Sequence, residues 1–360
     1  MPPDNPPNHK LQTIDDPKLT AALFSWAENL PREPADQQTL AKETRWLSYI
    51  EAHSGAPTDV KIIPAGPGEG IHFADETMQD PIPATLDTVD TKALCVCVER
   101  HGLHVNNVEH LLATLYVFGV DNATVLVKKG GLWPLFAWKR SLPLFRNSVL
   151  EYIVALYETG IVEQAGNPRR YRTIEGRRTF KHDLREDRIT IEPLTASGDM
   201  DRKPPSSADR SVSPEAGICI HYLSGYPRLD IPDQEIEIDV TPATFLGQIA
   251  EARTLVNQFN RWPYFIAKQL GKLSFLSYGY GVGVNAENAV VRLRNRCFSK
   301  PRYGGDHQEL VRHKVIDLLA AVRFLGPLRG VRFDVVKSGH AFDLQVCREI
   351  DRLLVQADQK

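Results

Sequence analysis

The chain lacks a cysteine framework. Its five cysteines in 360 residues are odd in number and fall at no framework spacing. That excludes a disulfide-built secreted scaffold and points to a reducing, cytoplasmic setting. An excess of either charge is also missing: 43 Lys and Arg against 45 Asp and Glu leave a formal net charge of −2. No basic domain or stripe for nucleic acid stands out, so no nucleic-acid partner is expected. Long apolar runs are absent too, and nothing approaches the ~20 residues a membrane-spanning helix needs. The opening MPPDNPPNHK has no apolar h-region, so a signal peptide is not expected there. What remains is ordinary, with 42% hydrophobic and 24% charged residues. The length fits two domains of roughly 100–200 residues each.

Residues 1–16 are polar and proline-rich, a composition that does not build a packed core. Asp16-Pro17 then makes an N-cap and N1 pair for a helix over 17–30, with Leu19, Ala22, Leu23, Trp26 and Leu30 on one face, stopped by Pro31. This extension occupies 1–36. Over 37–167, a first domain, strand patterns fall at Asp59–Ile63, Ala93–Val98 and Ala123–Val127 around one strong helix, VEHLLATLYVFG. Over 168–360, a second domain, they fall at Arg188–Ile191, Gly217–Leu223, Glu235–Val240, Ala289–Leu293 and Val331–Val336. Its helices are VRHKVIDLLAAVRFLG and Phe342–Gln356, and the Ser-, Pro- and Asp-rich stretch 195–216 is a flexible surface loop.

The two central helices overlay. His110-LLATLYVFG and Asp317-LLAAVRFLG share an apolar pattern, each ends in a glycine suited to a C-cap (Gly119, Gly326), and each precedes a strand. This implies two similar αβ halves, with metal-capable residues at equivalent levels of the two helices.

His313 and Asp317 stand at i and i+4, so both side chains rise from one helical face about 5–6 Å apart. A lone HxxxD is also how a solvated helix face or a simple His–Asp hydrogen bond looks. His110, from the equivalent helix, adds a third donor. Two histidines and one aspartate leave a tetrahedral Zn2+ with one open position, the pattern of catalytic sites. Iron suits the same donors. Glu109, beside His110, points about 100° away from it. There it can act as general base on a metal-activated water, the plain alternative being an exposed helix glutamate. His340 follows a strand and opens the last helix, at the rim of a sheet, where a helix-cap role is the simpler reading. Cys95 and Cys97 alternate on a strand with both sulfurs on one face, as core or tunnel wall. His101 and His104 sit in an expected hairpin loop, and YGYGVGV (278–284) reads as a turn or active-site loop.

With these residues in view, the chain resembles the UDP-3-O-acyl-N-acetylglucosamine deacetylases, zinc amidases of lipid A synthesis. The resemblance is carried by VEHLLATLYVFGVDN, AEARTL, ELVRHKVIDLL and KSGHAF, in the family's order and at about its spacing. HSG (53–55), GPGEGIHF (66–73) and DTKALCVCV (90–98) add to it. It implies an α+β fold of two similar domains, each a helix layer packed on a β-sheet, with the active site between the layers. It further implies zinc ligands at His110, His313 and Asp317, a general base at Glu109 and an essential histidine at His340. Lys314, Lys337 and Cys95 match the family's substrate-side positions. The implied substrate is a UDP-linked, acylated glucosamine, and no obligate protein partner is expected.

The chain departs from the family's pattern in places. Position 321 is Ala where an aspartate normally pairs with the essential histidine, and Arg146-Asn147 replaces Asp-Gly. The oxyanion threonine of the second domain is not evident, and HYLSGYP (221–227) offers His221 and Ser224 instead. These departures keep two alternatives open: a divergent paralogue that binds or regulates without turnover, and an amidase for another N-acetyl sugar. Outside the resemblance, KKGGLWPLFAWKR (128–140) sets two tryptophans between basic pairs. This suits a peripheral membrane contact or a shelter for an acyl chain, and equally a packed loop or a dimer contact.

Overall fold

The computed structural model describes residues 14–53, 55–92, 95–128, 139–194, 217–226, 231–257, 283–293, 296–300, 302–303 and 308–356. The start of the chain, the tryptophan-rich insert (129–138), the loop 195–216 and most of the glycine run 278–284 lie outside the described residues.

Helix α1 (Pro17–Asn29) comes first, then β1 (Asp36–Leu40), β2 (Leu47–Ile50), β3 (Pro57–Pro64), β4 (Ile71–Ala74) and β5 (Ile82–Pro83). Strands β6 (Val89–Lys92), β7 (Cys95–Arg100) and β8 (Leu103–Asn106) lead into α2 (Glu109–Val117). After it come β9 (Ala123–Lys128), β10 (Lys139–Ser141), α3 (Leu150–Thr159) and β11 (Ile161–Pro168). The second half begins with β12 (Arg172–Ile174), β13 (Arg178–Lys181), β14 (Arg188–Pro193), β15 (Ile218–Tyr226), β16 (Ile231–Val240) and α4 (Pro242–Gln248). It continues through β17 (Leu255–Asn257), β18 (Val290–Leu293), β19 (Arg296–Cys297) and α5 (Gln308–Arg323). Last come β20 (Val331–Val336), α6 (His340–Asp351) and β21 (Leu354–Gln356).

The two principal sheets follow one plan. The first is ordered β2-β3-β9-β4-β5 and the second β13-β14-β20-β15-β16. In each, the strand after the central helix enters the middle. It runs antiparallel to one neighbour (β3 or β14) and parallel to the other (β4 or β15). The sequence makes these strands by alternation: Ala123, Val125 and Val127 in β9, and Val331, Phe333 and Val335 in β20, are buried while the residues between them are not. The molecule is therefore an α+β protein of two similar halves, as the matching helices imply.

The later turns of those helices, LLATLYV in α2 and LLAAV in α5, are apolar nearly all round, which suits a segment buried on every side. Glu109 through Tyr116 of α2 are buried without a break, as are Val315 through Val322 of α5. The two pack on each other, and α5 also on β15 and β16. Gly119 and Gly326, at φ +75 and +78, turn the chain out of each helix in a conformation that favours glycine.

Helix α1 has the expected start, with the Asp16 carboxylate accepting from Lys18 N at 2.9 Å and Pro17 at the first turn. Its buried stripe is Thr20, Leu23, Phe24 and Ala27, rotated from the expected one, with Leu19, Trp26 and Leu30 at its margins. The rotation follows from having two neighbours: α1 lies on both α3 and α4, one from each half. Trp26 stacks on Phe118 at 5.2 Å and meets Tyr157 edge-on at 5.6 Å. The last helix is shorter than expected. It ends at Asp351, where Arg172 grips the carboxylate at 2.7 Å and the carbonyl at 2.8 Å, and 354–356 pair instead with β12.

A tight seam joins the halves. Gly283 donates its N–H to Ala52 O at 3.1 Å, and a Cβ there would lie 2.0 Å from Glu51 O. Gly283→Ala therefore forces the seam apart, at a cost of about 1–3 kcal/mol. The expected result is a melting temperature several degrees lower in thermal unfolding; an unchanged one would show that the seam is loose. Among the described residues no helix is long and apolar enough to cross a membrane.

Candidate active site at the helix interface

The face-to-face packing of α2 and α5 brings Glu109, His110, His313 and Asp317 together, all buried. The rings of His110 and His313 meet edge to face with centroids 5.2 Å apart. His313 Nε2 lies 3.4 Å from Asp317 Oδ1 across one turn of α5. His313 donates from Nδ1 to Ala252 O at 3.1 Å. A carbonyl only accepts, so Nδ1 carries the proton and the Nε2 lone pair faces Asp317. Asp317 Oδ1 has no hydrogen-bond partner among the described residues. His340, at the first turn of α6, brings Nε2 to 3.9 Å from Asp317 Oδ2. Glu109, at the first turn of α2, accepts from Val96 N at 3.2 Å.

The electrostatics follow from burial. Burial drives His110 down to about 3 and His340 to about 4, and lowers His313, so all three imidazoles are neutral near pH 7. Burial would raise Asp317, but His340, Lys314 and His313 facing it hold it well below the usual carboxylate range. Lys314 binds it at 2.7 Å, and this pairing with Asp317 overcomes the effect of burial and keeps the ammonium charged. Burial, aided by Asp317, pushes Glu109 up to about 8.

That shift has a measurable consequence for stability in metal-free protein. An unfolded glutamate ionises near the ordinary carboxylate value of 4.5, whereas folded Glu109 keeps its proton until about 8. Its contribution is fully present below pH 4.5 and is lost as pH rises through 8. In urea unfolding of metal-free protein, Glu109→Gln is expected to gain stability relative to wild type steadily across that interval. Parallel pH curves for the two proteins would refute the shift.

Cys95 lies near this cluster, its thiol 3.7 Å from His53 Nε2 and 3.8 Å from Asn106 Oδ1. Burial and then Glu109 raise it far above the usual thiol range, so the thiol stays protonated and is no nucleophile. Lys337 stands apart from the cluster: its ammonium binds Glu186 at 2.7 Å and lies 3.6 Å from Asp233, at the partly exposed edge of the strand-to-helix turn. Two further histidines, one expected in a loop and one offered for the oxyanion, lie elsewhere than expected. His104 is not a solvated loop residue; it lies within β8, buried, between Glu99 (3.0 Å) and Asn106 (2.7 Å). His221 belongs to the outer face of β15, paired with Asp334 and Glu235, because Ile220 and Tyr222 take the inner positions.

The profile of the LpxC family, UDP-3-O-acyl N-acetylglycosamine deacetylase, matches residues 37–352. The chain belongs to this family. It is similar to the UDP-3-O-acyl-N-acetylglucosamine deacetylase of Thermodesulfovibrio yellowstonii, 26% identical over 318 residues covering 87% of this chain and 91% of that one. The deacetylase of the same name from Nautilia profundicola is 24% identical over 315 residues, covering 87% and 91%.

As a deacetylase-family chain, it carries its departures in identifiable places. Ala321 is buried one turn beyond Asp317 on the stripe that holds His313. Arg146 is an exposed residue paired with Glu287 of the other half at 2.7 Å, and such a pair contributes about 0–1 kcal/mol. Asn147 accordingly serves the start of α3, its N–H reaching Glu151 at 3.4 Å. The contact that sequence reasoning passed over is the Ala252 carbonyl, inside the AEARTL segment, which accepts from His313 Nδ1 at 3.1 Å.

The donor set suits zinc: two neutral imidazoles, one with its tautomer already fixed, and one ionised carboxylate with an unpartnered oxygen. The donors adjoin without closing on each other, for no group of three or more His, Cys, Asp or Glu among the described residues stands compact enough to hold an ion as placed. Lys314 meanwhile neutralises Asp317.

Proposed function

We propose that this chain is a zinc-dependent amidase that hydrolyses the N-acetyl group of a UDP-linked, 3-O-acylated glucosamine in lipid A biosynthesis. The observation that carries this reading is the convergence of His110, His313 and Asp317, with Glu109 beside them, from the central helices of two matching halves. The substrate class comes from the family and from what its relatives are named for. Five free cysteines support a cytoplasmic setting.

His110, His313 and Asp317 would hold the ion. When bound, zinc polarises the acetamide carbonyl and lowers the pKa of a coordinated water toward ~7. Glu109 takes a proton from the water as the oxygen attacks the acetyl carbon. Burial raises the Glu109 carboxyl in the metal-free protein, and a divalent cation beside it would favour the ionised form that accepts the water's proton. His340, with its Nε2 3.9 Å from Asp317 Oδ2, would serve the departing nitrogen. As the C–N bond breaks, the nitrogen leaves as an amine carrying the returned proton, and the acetyl group leaves as acetate.

The test is turnover of UDP-3-O-acyl-N-acetylglucosamine, read as free amine, with the same sugar lacking the acyl chain as comparison. Amine release that depends on the acyl chain is expected. Preference for the unacylated sugar would favour an amidase for another substrate. Binding of the nucleotide sugar with no turnover at high enzyme concentration would favour a non-catalytic paralogue, the reading that Ala321 supports.

A further inference from the structure

Two buried polar atoms near the site have no partner among the described residues: His340 Nδ1 and Asp343 Oδ2. Native proteins satisfy roughly 90% or more of such groups, so a pair of them in one place calls for an explanation. Asp343 is 0% exposed, an expensive location for a carboxyl that serves nothing. It stands three residues after His340 on α6, which puts both side chains on one face with Cβ atoms about 5–6 Å apart. The turn that carries them is firmly held. Asp343 N donates to Gly339 O at 2.9 Å, Tyr222 Oη donates to Ser338 O at 3.0 Å, and the Ser338 hydroxyl donates to Asp343 Oδ1.

His340 also has a direction. Nε2 points to Asp317, so Nδ1 is the nitrogen turned away from the reacting centre. No other carboxylate comes to it from α5, where the position one turn past Asp317 is the methyl of Ala321. The i, i+3 spacing thus leaves a donor nitrogen and an acceptor oxygen on one side of α6, both buried and both without a partner among the described residues.

The geometry points to Asp343 as the positioning residue for His340: its Oδ2 receives the Nδ1 proton, directly or through one water. This fixes the ring and its tautomer, with Nε2 aimed at the reacting centre. The inference deepens the proposed amidase reading and rests on it for the role of His340, but the placement itself can be read without turnover.

The experiment uses the zinc-loaded full-length chain. In the wild type, 15N NMR of the histidine rings is expected to show His340 as the Nδ1–H tautomer, assigned by its loss in His340→Gln. Asp343→Asn is expected to keep its zinc and its KM and to lower kcat about 10–100-fold, the range for outer partners of site histidines. Ala321→Asp, which offers a carboxylate from the facing helix, is expected to restore much of that loss in the Asp343→Asn background. A purely structural role would not produce this rescue. An Nε2–H tautomer in the wild type overturns the proposal, even if Asp343→Asn fails to fold. So does a kcat in Asp343→Asn within about twofold of wild type. If the wild type shows no turnover at all, the amidase reading fails, while the tautomer still decides the positioning.

Discussion

Glu109→Gln is expected to leave a folded protein that still takes up zinc and to lower kcat by about 10²–10⁴-fold, the usual contribution of a general base. The substitution is close to isosteric, and the glutamine carbonyl can still accept from Val96 N–H, so α2 keeps its first-turn contact. What disappears is the ability to take a proton. Glu109 is not among the three donors that converge from α2 and α5, which separates its loss from loss of the ion. The variant should also be more stable than wild type above neutral pH when metal-free, because it has no buried carboxyl to ionise. Activity within tenfold of wild type would remove Glu109 from its role.

His313→Ala is expected to do the opposite and abolish zinc binding outright. His313 is the donor whose tautomer the Ala252 carbonyl fixes, and its Nε2 is the nitrogen that faces Asp317. Without it, His110 and Asp317 remain as two donors from different helices, and Lys314 already satisfies one oxygen of Asp317. A two-donor site with an internal cation holds a divalent ion poorly. The expected zinc content after dialysis, by elemental analysis, falls from about one per chain to near zero, and turnover disappears with it. Retention of stoichiometric zinc would mean that the ion sits elsewhere.

Much of this was readable in the residues because local period and local chemistry coincide. The alternation of VRFDVV fixes β20, and the glycines after LLATLYVF and LLAAVRFL end both central helices with the same turn. The shared face of His313 and Asp317 needs only helical spacing. The topology of the sheets then shows the helix match to be structural, since each central strand enters its sheet by the same route.

The remainder depended on contacts distant in sequence. The buried stripe of α1 is set by α3 and α4, well over a hundred residues away in part, so its own periodicity placed it only approximately. His104 looks like a loop residue until Glu99 and Asn106 close around it. His221 was legible after all: in ICIHYL the large apolar residues claim the inner face and leave the histidine outside. The carbonyl of Ala252 on His313 and the buried pairing of Asp343 with Ser338 follow from packing.

The central claim is that two matching halves hold one catalytic zinc between their central helices. Its most direct test is a zinc titration of chelator-stripped protein, following free-amine release from UDP-3-O-acyl-N-acetylglucosamine. The account predicts no activity in the stripped protein and a linear return that saturates at about one zinc per chain. Full activity in the stripped protein, or stoichiometric zinc uptake with none, would contradict it.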